Sequence, residues 1–137
     1  MLEVSVTHLG SVQFEIKARE NTIVCDQPEE NGGFNEGMTP PELMLASLGS
    51  CAGFYAVDYL KRQKLTVNGL KVNVAAAKAK NPARLDSFKI EVDVPAELSA
   101  EQLKGMEDAV HRCLIHNTLM NPPMIALEIK TVEAAKL

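Results

Sequence analysis

The sequence predicts an α+β fold. Alternating apolar and polar runs open the chain, return in its middle and close it. Two helical patterns separate them, and each begins with a capping box, Thr39 with Glu42 and Ser99 with Gln102. The resulting order is three strands, helix, two strands, helix, strand, which suits sheets and helices sharing one core. A chain of 137 residues fits a single domain over 1–137.

The first strands form a hairpin. Val4, Val6 and His8 alternate with Glu3, Ser5 and Thr7. After the turn at Leu9-Gly10-Ser11, Val12, Phe14, Ile16 and Ala18 alternate with Gln13, Glu15, Lys17 and Arg19. Such alternation gives one dry face and one polar face. Asn21 to Asp26 is a third strand, and the Gly-, Glu- and Asn-rich stretch from Gln27 to Met38 is a loop.

Thr39 caps the first helix and Pro40 takes its first position. The helix ends near Lys61-Arg62-Gln63-Lys64, where positive charge suits a C-terminus. Two strands follow, on Leu70, Val72, Val74 and Ala76 and on Phe88, Ile90, Val92 and Val94, joined through Asn81-Pro82-Ala83-Arg84. The second helix places Leu103, Met106, Ala109, Val110 and Cys113 on one face. A short helix restarts at Asn117, Asn121-Pro122-Pro123 ends that region, and Met124 to Val132 is a final strand.

Net charge is −4 with no basic block, which argues against nucleic acid and anionic membrane partners. The N-terminus lacks the basic start and apolar run of a signal peptide, so a cytoplasmic location is expected. The apolar stretch Leu43 to Leu60 contains Ser47, Ser50 and Asp58 and reads as a buried helix rather than a membrane span. That helix is apolar nearly all round, yet one sheet covers only one of its sides. A second copy of the chain supplies the remaining cover, so a homodimer is expected with the Cys51 helix near its interface.

Chemistry concentrates on sulfur. Cys51 lies about three turns inside the first helix, too deep for the helix N-terminus to activate it. An apolar setting alone makes a thiol inert, so a reactive Cys51 needs an added cation or hydrogen-bond donor. Cys113 has His111, Arg112 and His116 close in sequence. On the residues alone, a pair of buried structural thiols and a reactive pair that meets in the fold both stay open. Cys25, in a strand, reads as structural. Three cysteines make an odd set, which fits a transient redox pair better than a disulfide scaffold.

No metal is expected. His111 and Cys113 stand two apart on a helix and point in different directions, and no Cys-x-x-Cys pair is present. Arg19 at a strand end reads on its own as a solvated side chain, and Glu42 is explained by its capping box. Gly32-Gly33 lacks the Lys-Ser/Thr ending of a phosphate loop.

Four fragments together resemble the OsmC/Ohr family of thiol-dependent hydroperoxide reductases. They are Asp26-Gln-Pro, Gly32-Gly33, Thr39-Pro-Pro-Glu-Leu-Met-Leu-Ala-Ser-Leu-Gly-Ser-Cys51 and Cys113-Leu-Ile-His-Asn-Thr-Leu119. The resemblance implies an intertwined homodimer, with antiparallel sheets wrapped around two central helices that carry the cysteines. It implies that Cys51 is peroxidatic and attacks an organic or hydrogen peroxide, and that Cys113 resolves the sulfenic acid to a disulfide. A dithiol reductant, possibly of lipoyl type in the family, restores both thiols, and no cofactor is implied.

Arg19 is the candidate for the family's activating arginine. Phe54 and Tyr55, just beyond Cys51, are expected to line an apolar substrate pocket near the interface. Pro41 stands where the well-studied branches carry the glutamate that pairs with that arginine, and Glu42 is one residue along. Leu114 stands where a proline often follows the second cysteine. These departures place the chain nearer the OsmC-like branch. They also favour the alternative function, a non-enzymatic apolar-ligand-binding protein or thiol redox sensor on the same fold.

Overall fold

The computed structural model describes residues 1–132. Three antiparallel strands open the chain, β1 (Ser5–Gly10), β2 (Gln13–Ala18) and β3 (Asn21–Cys25), in the order β1-β2-β3. Register sets Val6 opposite Ile16 and Ile16 opposite Ile23, and His8 opposite Phe14 and Phe14 opposite Cys25. Directly opposed residues share a face, so these six side chains form two rows on the predicted dry face. Yet Val6 is 56% and Ile23 49% exposed. This sheet packs broadly on none of the chain's helices and not on its second sheet.

Asp26 organises the loop that follows. Its buried carboxylate accepts from Gln13 Nε2 (3.0 Å) and from the backbone N–H groups of Gln27 (2.8 Å), Phe34 (3.1 Å) and Glu36 (3.1 Å). A Cβ on Gly33 would lie 2.6 Å from Asp26 Oδ1, so only glycine lets the loop close over that carboxylate.

Helix α1 (Pro40–Arg62) starts as its sequence dictates. Thr39 accepts from the Glu42 N–H, and the Glu42 carboxylate accepts from the Thr39 N–H at 2.9 Å. By length and composition α1 could cross a membrane, but here it is the central packing element, in contact with the second sheet and both following helices. Small residues let it sit close, since a Cβ on Gly49 would lie 3.0 Å from Val74 Cγ2.

Strands β4 (Lys71–Ala79) and β5 (Arg84–Asp93) pair antiparallel, with a register shift between Ala75 and Ala77. Helix α2 (Ala100–Val110) has the predicted Ser99–Gln102 capping box. The buried cluster is Ala56, Leu60 and Met106, ringed by Tyr59, Leu65, Val67, Val92, Val94 and Val110. α3 (Leu114–Met120) completes the fold.

Three expectations need correction. The second helix ends at Val110, not at Cys113, and the chain restarts at Leu114 rather than Asn117. The turn forms because the N–H groups of Arg112 and Cys113 bond back to Ala109 and Val110. The final strand over Met124 to Val132 is also absent, and every residue there is exposed. A strand needs a neighbouring edge to complete its hydrogen bonds, and within this chain neither sheet takes it.

Candidate active site: a thiol pair beside an apolar groove

All three cysteines are free thiols. Cys113 is the cap residue of α3, and its Sγ accepts from the His116 N–H at 3.4 Å. It is 0% exposed. Burial pushes the Cys113 thiol up, and the neighbouring Cys51 pushes it further, against the opposing pull of the His116 N–H. Cys113 and Cys51, 62 positions apart in sequence, are thus neighbours where α1 contacts α3. Cys51 is half-buried on α1.

A groove of about 1140 Å³ lies nearby, and neither cysteine lines it. Met44 and Leu48 of α1 line it, as do Phe88 and Ile90 of β5, Leu103 and Met106 of α2, and His116 and Leu119 of α3. Its walls are mainly apolar. Met44, Leu48, Cys51 and Tyr55 stand four, three and four residues apart, the spacing of one helix face. The groove's α1 wall thus leads, one turn on, to Cys51. His111, Glu107, Arg84 and Asp86 supply its polar groups.

The other predicted site residues lie elsewhere. Arg19 is exposed in the two-residue turn between β2 and β3, with φ 55°, and makes no side-chain hydrogen bond or ion pair among the described residues. Phe54 is 67% exposed and meets Tyr55 edge-on at 5.2 Å. Neither aromatic lines the groove. Among the described residues, no cluster of His, Cys, Asp and Glu could hold a metal. The Met44–Leu48 wall escaped notice in the sequence because the helix is apolar on every side, which hides any one stripe.

The family model for OsmC-like protein matches residues 33–128. The chain belongs to the OsmC-like family. No curated protein is detectably similar in sequence. Among solved structures, the OsmC-like protein of Mycoplasma pneumoniae is 21% identical with a TM-score of 0.76, over 89% of each chain. A provisionally named osmotic stress induced and detoxification response protein from Psychrobacter arcticus 273-4 is 22% identical with a TM-score of 0.77, over 86% of this chain and 88% of that one. An organic hydroperoxide resistance protein OsmC from Legionella pneumophila is 16% identical with a TM-score of 0.60, over 87% and 88%. At these identities the likeness is one of fold, and OsmC-like architecture with α+β composition is the fold of this chain.

Proposed function

We propose that this OsmC-like protein reduces organic or hydrogen peroxides through its thiol pair. The observation that supports the reading is the buried Cys113 thiol set beside Cys51, where α1 contacts α3. The Cys51 thiolate attacks the peroxide oxygen, the O–O bond breaks, and an alcohol or water leaves with one proton. Cys51 is then a sulfenic acid. Cys113 condenses with it to a disulfide and releases water. A dithiol of lipoyl type returns both thiols and is itself oxidised. Half-burial of Cys51 suits this role, because peroxide must reach it while bulk water stays largely out.

The proposed working unit is a cytoplasmic homodimer. The chain exposes 10971 Å², against about 7000 Å² for a compact monomer of its mass. Apolar residues that no element of the same chain covers contribute to the excess, including Val6 and Ile23 of the first sheet, Phe54 of α1, and Ile125, Leu127 and Ile129. A second copy that covers them brings its own Arg19 turn and Phe54–Tyr55 edge toward a Cys51. Arg19 is then the cation that favours the thiolate, and the two aromatics border the substrate.

The test is the protein mass after one equivalent of cumene hydroperoxide. A loss of two hydrogens, abolished in Cys113→Ser, is expected. Addition of oxygen with no disulfide in the wild type overturns the reading. The groove itself favours the second reading, an apolar-ligand carrier or sensor. That reading requires no sustained peroxide consumption with dihydrolipoamide, and for a carrier an apolar compound retained through purification.

A further inference from the structure

Asparagine is followed by glycine twice in the chain, at Asn31-Gly32 and at Asn68-Gly69. Asparagine is thermolabile. A following glycine exposes it most, because no Cβ shields the glycine nitrogen from the side-chain amide or limits its rotation. The two pairs share a sequence but not a backbone. Asn31 ends the short 3-10 helix Glu29–Asn31. The N–H groups of Asn31, Gly32 and Gly33 donate to Pro28 O, Glu29 O and Pro28 O at 3.0, 2.9 and 3.2 Å. Turning the Gly32 nitrogen onto the Asn31 side chain therefore breaks its bond to Glu29. Asn68 and Gly69 are instead the middle residues of the exposed turn before β4, closed by the Leu70 N–H on Val67 O at 3.2 Å. Gly69 has φ 94° while Asn68 stays outside the left-handed region, as in a type II turn. Among the described residues, the N–H groups of Asn68 and Gly69 and the Asn68 side chain make no hydrogen bond. The peptide between them is free to rotate between type II and type I geometry while the Leu70–Val67 bond stays closed. Leu65, Val67 and Leu70 around this turn pack against the buried cluster of Ala56, Leu60 and Met106.

We propose that Asn68 is a site of spontaneous deamidation, and that its isoaspartyl product loosens the turn from the core. The Gly69 nitrogen attacks Asn68 Cγ and a C–N bond forms. The side-chain nitrogen leaves as ammonia, with the proton that Gly69 gives up. Water then opens the cyclic imide at either of its two carbonyls. One opening leaves an aspartyl residue on a normal backbone. The other routes the main chain through the former side chain and so lengthens a turn whose two ends, Val67 and Leu70, are both held to the core. Either product adds a negative charge to a chain whose net charge is already −4.

The test ages the full-length protein in warm, mildly alkaline buffer, folded and in parallel in urea, and follows each Asn-Gly peptide by digestion and mass spectrometry. In the folded protein Asn68 should convert at least about tenfold faster than Asn31, the rate factor that matches one net hydrogen bond at its strong end. In urea the two rates should draw together, because the bond that protects Asn31 is gone. Anion exchange then collects the acidic form of the folded sample, and an enzymatic isoaspartate assay measures its altered linkage. That fraction should melt below Asn68→Asp, which carries the same charge on a normal backbone. An Asn68 that stays intact, an Asn31 that converts as fast as Asn68 in the folded protein, or an Asn68 advantage that survives unchanged in urea overturns the proposal. So does an isoaspartyl fraction that melts with Asn68→Asp.

Discussion

Cys113 is sealed from solvent beside Cys51, and its thiol is raised first by burial and then by that neighbouring thiol. A raised thiol binds its proton more tightly folded than unfolded. Its contribution to stability is full below the unfolded value, about 8.5 for an ordinary thiol, and is lost as pH rises through the higher folded value. The urea midpoint of the reduced protein should therefore fall on going from about pH 8 to about pH 10, across the titration of a thiol. In Cys113→Ser the fall should be shallower. Equal slopes in both proteins would mean that the thiol is not raised.

Asp26 gives the opposite sign. Burial raises its carboxyl, but the hydrogen bonds from Gln13 and from the Gln27, Glu36 and Phe34 backbones outweigh burial and leave it lowered. Its contribution is present above the ordinary carboxylate value and is lost as pH falls through the lowered one. Asp26→Asn keeps the shape but removes the charge that four donors address. It should lower the melting temperature at neutral pH, lose part of the wild type's acid sensitivity, and speed proteolysis between Gln27 and Met38.

Much of this was legible in the chain. Both capping boxes, the hairpins and the buried face of α2 follow from residue type and spacing, because each is a local interaction. Cys25 was read as structural, and the structure places it in β3 with 7% exposure. The break after Val110 was not legible, because Ala109, Val110 and Cys113 continue a helical pattern across it; only the back-bonded turn reveals the stop. The strand expected at Met124 to Val132 had the right alternation, but alternation states which face is dry and not which edge accepts it.

Gly105 of α2 fixes how close α1 comes. A Cβ there would lie 2.8 Å from Tyr59 Cε2, inside any normal contact, although the Tyr59 ring is a side chain that can move. Gly105→Ala should then destabilise the fold by about 1–3 kcal/mol, the usual range for overpacking. Chemical denaturation of the variant checks this. Gly105→Ala combined with Tyr59→Leu should recover part of the loss, because the clash is with the ring.

Arg19 offers the sharpest test of the dimer. Its sheet packs broadly on no helix of its own chain, so an Arg19 that activates Cys51 should do so from the partner subunit. Arg19→Ala should slow alkylation of Cys51 near neutral pH while leaving the melting temperature unchanged, because the side chain is exposed and makes no hydrogen bond or ion pair among the described residues. Mixing then separates action within a chain from action across the interface. Arg19→Ala and Cys51→Ser homodimers are each inactive if both residues are required. After unfolding and refolding together, mixed dimers form. If the arginine acts across the interface, each mixed dimer holds one complete site, with Cys51 from one chain and Arg19 from the other. Random twofold assembly then restores about one quarter of wild-type peroxide consumption. If the arginine acts within its own chain, no mixed dimer holds a complete site and activity stays absent. A monomer by light scattering would remove the interface, and with it the route by which Arg19 reaches Cys51.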